Sequence, residues 1–340
     1  MMLKPFANLF TKLSGRQVLP LIPLSLLLVF LLADTLISIR GAISGVNSGD
    51  NGFDLSKTSI PREQILHGGP PRDGIPALTH PKFIRAAEAS FLTPKSRILG
   101  VTIAGQSKAY PIDILNHHEI VNDTLAGKNI TVTFCPLCGT GIVFDAKVDG
   151  QVLEFGVSGL LYNSDVLLYD RHSESLWSQI RAKAISGPML GKQLIRIPAL
   201  HTSWQHWHQQ HPDTQVLSRQ TGYLRNYRQT PYSGYNESDA IYFPVTHRDR
   251  RYHSKEVVLA VTINGKNKAY PFKELALYQN TTGKKQLYDN LAGERITVEF
   301  NLASRSGRVI SQSGTEIPSF QAFWFAWFAF YPEGGVFTAN

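Results

Sequence analysis

The chain has 340 residues, of which 43% are hydrophobic, 18% charged and 11% aromatic, as in an ordinary globular protein. The formal net charge of +8 is spread thinly, and the densest basic stretch, residues 248–251, contains an acid. We therefore expect a solvated surface that leans towards anionic lipid, and no nucleic-acid binding. With about 300 residues beyond the N-terminus, two lobes are expected.

The N-terminus predicts export. Positive charge precedes an uncharged run over residues 17–33, and apolar character continues to Ile39. A helix from Pro23 to Ile39 has about 17 residues, the lower limit for spanning a bilayer. Basic residues on the near side place the bulk of the chain in the periplasm or outside the cell, behind a bacterial inner membrane. Residues 1–44 are thus a signal or a signal-anchor, and Ala42-Ile43-Ser44 leaves cleavage open.

An internal repeat organises the remainder. Residues 98–111 and 258–271 are identical at nine of fourteen positions, and further matches follow downstream. Two copies favour a pair of lobes over a solenoid. We predict a linker over 45–60, a first lobe over 61–245 and a second, degenerate lobe over 246–340.

Comparison of the two copies distinguishes residues of the shared scaffold from candidate site residues, which differ between the copies. Cys135 and Cys138, the only two cysteines, align with Asn301 and Ser304 in the second copy. His118 aligns with Tyr278. Joint loss of the thiols and the histidine is what a shared site predicts.

A helix that starts at Pro111 carries the histidine. Its inward face follows from the spacing of the apolar side chains, and that face includes His118. The chain then turns into the strand that ends at Cys135, so His118 is the nearest further ligand for the thiols. We expect Asn116 and Glu119 to orient the site around it.

The run Phe134-Cys-Pro-Leu-Cys-Gly139 lies between two predicted strands, and three interpretations of it compete. As a hairpin knuckle it would hold a metal, and the Cys/His set favours copper or zinc. As a redox motif it would resemble Cys-Pro-x-Cys, but no helix follows it. As a structural element it would be a tight disulfide in an oxidising compartment.

Polar residues downstream form a second group of candidates. The β-rich stretch over residues 157–171 supplies side chains that can line a pocket facing the thiols. These candidate pocket residues are Tyr162, Asn163, Asp170 and Arg171.

Several of these motifs together resemble an uncharacterised bacterial and archaeal family, domain of unknown function 3179. They are His118-Glu-Ile-Val-Asn-Asp123, Phe134-Cys-Pro-Leu-Cys-Gly139, Val157-Ser-Gly-Leu-Leu-Tyr-Asn163, Tyr169-Asp-Arg171, Ser175-Leu-Trp177 and His211-Pro-Asp-Thr214. The resemblance runs from about Ile60 to the aromatic C-terminal tail. It implies an exported or membrane-attached protein and names no reaction.

The sequence thus predicts a β-rich α+β fold of two pseudo-repeated lobes behind a membrane segment. The predicted function is binding of copper, ahead of zinc, by Cys135, Cys138 and His118, for delivery to a protein partner or for redox chemistry. Whether the protein is an enzyme stays open. A cysteine-dependent or thiol-disulfide enzyme and a ligand-binding module with a structural disulfide are the alternatives.

Overall fold

The computed structural model describes residues 49–339, which belong to one compact unit. Within this range the chain forms 24 β-strands, four short α-helices and two single-turn 3-10 helices, Arg62–Gln64 and Ala86–Glu88. Most of these strands make five sheets of four or five strands each, in a five-bladed β-propeller-like arrangement.

Two of the sheets come from the first copy of the repeat. Its elements are β2 (Phe83–Arg85), β3 (Arg97–Ile103), β4 (Gln106–Pro111), α1 (Ile112–His118), β5 (Ile120–Leu125), β6 (Lys128–Cys135), β7 (Thr140–Asp145), β14 (Arg196–Ile197), β15 (Leu200–Ser203), α2 (Trp204–Gln210) and β16 (Gln215–Leu217). The strand orders are β15-β3-β4-β16-β2 and β14-β7-β6-β5.

Two further sheets come from the second copy. Its elements are β17 (Val257–Ile263), β18 (Lys266–Pro271), α3 (Phe272–Thr282), β19 (Gln286–Leu291), β20 (Glu294–Asn301), β21 (Ser306–Ser311), β22 (Glu316–Ile317), β23 (Ser319–Phe323), α4 (Trp324–Phe330) and β24 (Gly335–Val336). The orders β23-β17-β18-β24 and β19-β20-β21-β22 repeat those of the first copy. The parallel pairs β4–β16 and β18–β24 recur as well.

The fifth sheet has no counterpart in the second copy, because most of it comes from an insertion between β7 and β14. Its elements, with an upstream strand and a small separate hairpin, are β1 (Ile65–His67), β8 (Lys147–Val148), β9 (Gln151–Val152), β10 (Phe155–Tyr162), β11 (Asp165–Asp170), β12 (Leu176–Ser178) and β13 (Lys183–Ala184). The sheet order is β1-β10-β11-β12-β13, antiparallel throughout.

The inserted sheet explains why equivalent strands of the two copies differ in burial. Strand β20 alternates between buried and partly exposed residues, as a strand with one solvated face does. Its equivalent β6 is buried on both faces from Ile130 to Cys135. Residues of β6 and β7 share one apolar cluster with β10, β11 and β12. The insertion therefore covers the outer face of the first copy and encloses the cysteines.

The prediction of an α+β fold behind a membrane segment is wrong. The four helices in the described range have seven to eleven residues each. They connect strands, since α1 and α3 follow the Tyr-Pro strands β4 and β18, while α2 and α4 follow β15 and β23. The helix predicted to begin at Pro111 is present as α1, but mainly antiparallel strand pairing accounts for the architecture.

The predicted membrane segment, residues 1–44, lies outside the described residues. Between residues 49 and 339, no helix combines the length and the apolar character that crossing a bilayer requires. The boundaries proposed at residues 45, 61 and 246 stay predictions.

The duplication extends further than the sequence comparison found. After β15, Trp204 and Trp207 are spaced as Trp324 and Trp327 are after β23, and both helices end before a His-Pro or Tyr-Pro pair. The first copy uses Trp207 to pack against Gly100, where an added Cβ would lie 2.4 Å from the indole ring. The repeated unit is thus a strand pair, a three-strand hairpin sheet and a Trp-x-x-Trp helix.

A buried polar triad fixes the same corner of both copies. In the first copy, Asp123 accepts hydrogen bonds from Lys108 Nζ at 2.8 Å and from Tyr110 Oη at 2.7 Å. The second copy repeats this with Asp289, Lys268 and Tyr270. The ion pair is more enclosed in the first copy, with side chains 10% and 8% exposed against 20% and 18%.

The two triads provide a matched test. Asp123→Asn leaves the buried Lys108 ammonium without its counter-charge, so we expect a loss of about 3–5 kcal/mol in the free energy of unfolding. Asp289→Asn, in the more solvated triad, should cost about 1–2 kcal/mol. Urea denaturation of the two variants measures the difference, and equal losses would contradict the role assigned to burial.

Candidate metal centre

The two cysteines lie at the turn of the β6–β7 hairpin. Cys135 is the last residue of β6 and pairs with Thr140, the first of β7. Between them the chain turns through Gly139 at φ +60°, where an added Cβ would lie 2.8 Å from the Phe323 ring. Only glycine fits this position without displacing the ring. The Cys138 carbonyl accepts a hydrogen bond from Phe323 N–H at 2.8 Å, which anchors the turn.

The inserted sheet delivers a second hairpin tip to the thiols. Strands β10 and β11 are joined by Asn163 and Ser164, both at positive φ, as a two-residue type I′ turn requires. The Ser164 carbonyl lies 3.6 Å from the Cys135 sulfur and 3.3 Å from the Cys138 sulfur, and accepts from both thiols. The next residue, Asp165, starts β11 beside them.

Cys135, Cys138 and Asp165 form one compact group of ligand atoms. Their two sulfurs and one carboxylate oxygen lie within 4.8 Å of one another, and the three residues are at most 1% exposed. Asp165 Oδ2 accepts from Ile180 N–H at 3.0 Å. Its Oδ1 is buried without a hydrogen-bond partner. A buried carboxylate oxygen left unpaired is costly, and a carboxylate beside two thiols suits a metal site.

The group is acidic and lies in an apolar setting. Burial raises the pKa of Asp165 to about 7 and raises the pKa of both thiols. Burial, with the neighbouring Asp165 charge, also raises the pKa of Glu119 to about 8. The raised pKa values show that the surroundings of these four acids favour the protonated forms, and a nearby cation would favour the ionised forms instead. A divalent ion would supply that charge and ionise the thiols.

Lys255, an amine whose charge interacts with that of Cys138, has other hydrogen-bond partners. Lys255 Nζ donates to the backbone carbonyls of Ser238 at 3.3 Å and Ala240 at 2.6 Å, and it lies 4.0 Å from the centroid of the Tyr235 ring. Burial lowers the pKa of Lys255 to about 8, while the Asp239 and Cys138 charges oppose that shift. Lys255 therefore adds positive potential near Cys138 without forming an ion pair with the cluster.

Glu119 lies close enough to the cluster for its charge to act on Cys135 and for the Asp165 charge to act on it. It follows α1 at φ +57°, a left-handed conformation that ends the helix. Its carbonyl accepts from Phe134 N–H at 2.7 Å, and this bond ties the helix end to the strand that carries Cys135. The side chain is 6% exposed, so it is a buried acid in reach of the Cys135 and Asp165 charges.

His118 is buried as predicted but does not belong to the group of ligand atoms. Its Nδ1 lies 2.8 Å from the Pro76 carbonyl, which can only accept, so this nitrogen carries the proton. Its Nε2 lies 2.6 Å from the Tyr227 hydroxyl and accepts from it. Both ring nitrogens are therefore engaged, and burial lowers the pKa of His118 to about 4. In this arrangement His118 is a hydrogen-bonded core residue.

Asn163 and Tyr162 lie at the tip of the β10–β11 hairpin. Asn163 Oδ1 accepts from Thr246 N–H at 2.8 Å and its Nδ2 donates to the Ala329 carbonyl at 3.3 Å. The Tyr162 hydroxyl accepts from Arg181 at 3.0 Å. These bonds hold the turn that presents Asp165, so the two residues support the cluster from outside it.

Asp170 and Arg171 lie at the opposite end of β11, five residues or about 17 Å from Asp165. Asp170 accepts from Ser173 N–H and from Trp177 Nε1 at 2.9 Å, which closes the β11–β12 turn. Arg171 forms ion pairs with Asp73 and with Glu154. The strand thus separates this pair from the thiols.

Asn116 lies on the far side of the knuckle and donates to Thr230 at 3.4 Å. Sequence reasoning missed Asp165, whose local signal was its position directly after the two-residue turn. What the sequence did not show was that the inserted hairpin packs against the cysteine hairpin.

Mainly antiparallel sheets in a propeller-like arrangement, together with a buried Cys-Cys-Asp group, define a β-rich protein with a candidate metal centre. The sequence profile of DUF3179, described as a protein of unknown function, matches residues 72–334. The chain therefore belongs to this family, as its motifs indicated. None of the curated proteins and none of the solved structures compared with it shows significant similarity.

The neutral state of His118 predicts a pH effect. Its pKa is lower in the folded chain than the usual 6.5, so its contribution to stability is present above pH 6.5 and is lost as the pH falls towards 4. We expect the free energy of unfolding to fall by about 2–3 kcal/mol over this pH window. The His118→Gln variant should lack this pH-dependent loss. Denaturation at pH 7 and pH 4.5 tests this, with exposed His172→Gln as the control. If both variants kept the wild-type pH slope, the assignment would be wrong.

Proposed function

We propose that this protein holds a metal ion at Cys135, Cys138 and Asp165. The observation that carries the proposal is the compact buried group, in which a carboxylate oxygen of Asp165 lies within 4.8 Å of both sulfurs. The Oδ1 of the same carboxylate is buried without a hydrogen-bond partner. A tetrahedral metal about 2.3 Å from each sulfur holds two sulfurs about 3.8 Å apart. A small inward movement of the two hairpin tips therefore completes three ligands.

The ligand set favours zinc over copper. Zinc accepts thiolate and carboxylate together, whereas copper(I) prefers a fully soft set of thiolate and thioether ligands. The sequence alone put copper first because it paired the thiols with an imidazole. With His118 engaged elsewhere and a carboxylate in its place, the order reverses. Three protein ligands leave a fourth position, for which Glu119 is the nearest further acid.

A resident metal suits the burial better than delivery does. Both thiols are at most 1% exposed, so transfer to a protein partner would require the knuckle to open. The raised pKa of both thiols is also opposite to the lowered value that an attacking cysteine needs. A redox or nucleophilic role is thus the weaker candidate.

Elemental analysis with a count of reactive thiols, on protein purified without chelators, tests the site. We expect near-stoichiometric zinc in the wild type and a loss of it in Asp165→Asn and Cys135→Ser. His118→Gln is the matched control and should retain the metal. Wild-type protein with neither metal nor reactive thiols would show a disulfide and end the proposal. So would loss of metal in a folded His118→Gln variant equal to that in Asp165→Asn.

Asp165→Asn should also change stability in opposite directions with and without metal. The raised pKa of Asp165 means that its contribution to stability is present below about pH 4 and is lost as the pH rises through about 7. The metal-free variant should therefore be more stable than metal-free wild type at pH 8, by on the order of 2–4 kcal/mol. Added zinc should stabilise only the wild type. A variant that is less stable in both states would contradict this.

We further propose that the protein is anchored at a bacterial inner membrane with residues 45–340 outside the cytoplasm. The basic flank and the apolar run over 17–39 support this orientation. Fractionation of expressing cells should recover the chain in alkali-washed membranes, and protease added to spheroplasts should digest it. Recovery from the cytosol, protected from protease, would overturn the assignment.

A further inference from the structure

A cavity of about 380 Å³ lies against the outer side of the cysteine knuckle. The knuckle contributes Pro136 and Gly139 to its wall, while the sulfurs face the other way, towards Ser164. Cationic and apolar side chains complete the lining, among them Arg97, Arg305 and Phe323.

The cavity lies where the two copies of the repeat meet. Strand registers equate Arg97 with Val257, because Ile98 pairs with Pro111 as Val258 pairs with Pro271. The same comparison equates Gly139 with Arg305 and His201 with Gln321. All six residues of these three pairs line this one cavity. In two of the pairs one copy supplies an arginine and the other an uncharged residue. In the third pair both residues are polar and uncharged, because burial and the two arginine charges hold the pKa of His201 well below its usual value.

Arg97 brings an uncompensated charge. Its guanidinium donates to the backbone carbonyls of Ser304, Arg305 and His201 and to Gln321 Oε1. Among the described residues no carboxylate lies within ion-pair distance of it. Its Nε is buried without a partner, as is His201 Nδ1. Backbone carbonyls hold the Arg97 guanidinium in place. Because Arg97 also lines the cavity, its positive charge contributes to the electrostatic potential there.

Arg305 is placed there at a conformational cost. Its φ is +45°, a left-handed conformation that side-chain-bearing residues rarely adopt. The equivalent residue in the first copy is Gly139, at φ +60°, so glycine would relieve the strain. Unlike Arg97, Arg305 is exposed, and its guanidinium has no hydrogen bond or ion pair to another described residue. A strained, unpartnered arginine at a cavity indicates a binding role.

The other cavity groups define the ligand. Lys95 adds a third cation, and Asp113, whose pKa is raised by burial, is the acid in the lining. Phe134, Val257 and Phe323 form an apolar wall. We propose that this cavity binds a small organic anion, with an acidic group at Arg305 and an apolar body against the phenylalanines. This site does not depend on the proposed metal centre.

Titration calorimetry with benzoate and phenyl phosphate as probes tests the proposal on the full chain. We expect saturable binding of at least one probe, and the stronger binder shows whether the acidic group is a carboxylate or a phosphate ester. Neutral benzyl alcohol should bind at least tenfold more weakly. Absence of binding by both acids, or equal binding of the alcohol, would overturn the proposal.

The repeat itself supplies the diagnostic variant. Arg305→Gly installs the residue that the first copy has, so it should weaken the better probe at least tenfold, while thermal stability is unchanged or higher. Arg250→Gly, on an exposed stretch outside the lining, removes the same formal charge and should leave binding intact. Unchanged affinity in Arg305→Gly would refute the site.

A third variant separates this inference from the metal proposal. Cys135→Ser with Cys138→Ser should lose the metal but bind the better probe within about threefold of wild type. Failure of the metal proposal would then leave the anion site standing. Loss of probe binding in a folded double variant would overturn the independence claimed here.

Discussion

The packing of the inserted sheet against the β6–β7 hairpin is the constraint on which the rest of the site depends. It buries both faces of β6, whereas the equivalent strand β20 keeps one solvated face. It also brings the Asn163-Ser164 turn against the thiols, so that one carbonyl meets both sulfurs. Desolvation of the three acids follows from the same contact. Enclosure and acidity at the cluster therefore have a single structural cause.

Local patterns in the sequence predicted local structure well. The hairpin around Cys135 and Cys138, the inward direction of His118 and the duplication all follow from alternation, helical spacing and identity between copies. The fold class was wrong because a short helix between two strands gives the same local signal as a helix in a layered α+β domain. Only strand pairing over long separations distinguishes them, as in the contact of β1 with β10.

The third member of the cluster, Asp165, could not be predicted for a related reason. Asp165 is distant in sequence from the cysteines, and its apposition depends on how an insertion folds back on the parent sheet. His118 was the nearer candidate along the chain, but its nitrogens meet Pro76 and Tyr227 first. A short separation along the chain makes contact between two residues more probable, but it does not determine which way their side chains point. The Pro76 carbonyl and the Tyr227 hydroxyl occupy both imidazole nitrogens, so neither nitrogen is free to bind a metal with the thiols.

The two copies show how a duplicated hairpin can acquire different chemistry. Both turns share one register, and both require a left-handed residue at the same place. In the first copy that residue is Gly139, which lets the turn pack against Phe323 while the sulfurs face inward. In the second copy it is Arg305, and serine and asparagine replace the thiols. The sulfur side of the first turn is enclosed by the insertion, which suits a buried ion, while Pro136 and Gly139 of the same turn line the cavity. The second turn stayed open to the cavity, where a guanidinium can meet an anion, and this difference in enclosure is what separates the two proposed sites.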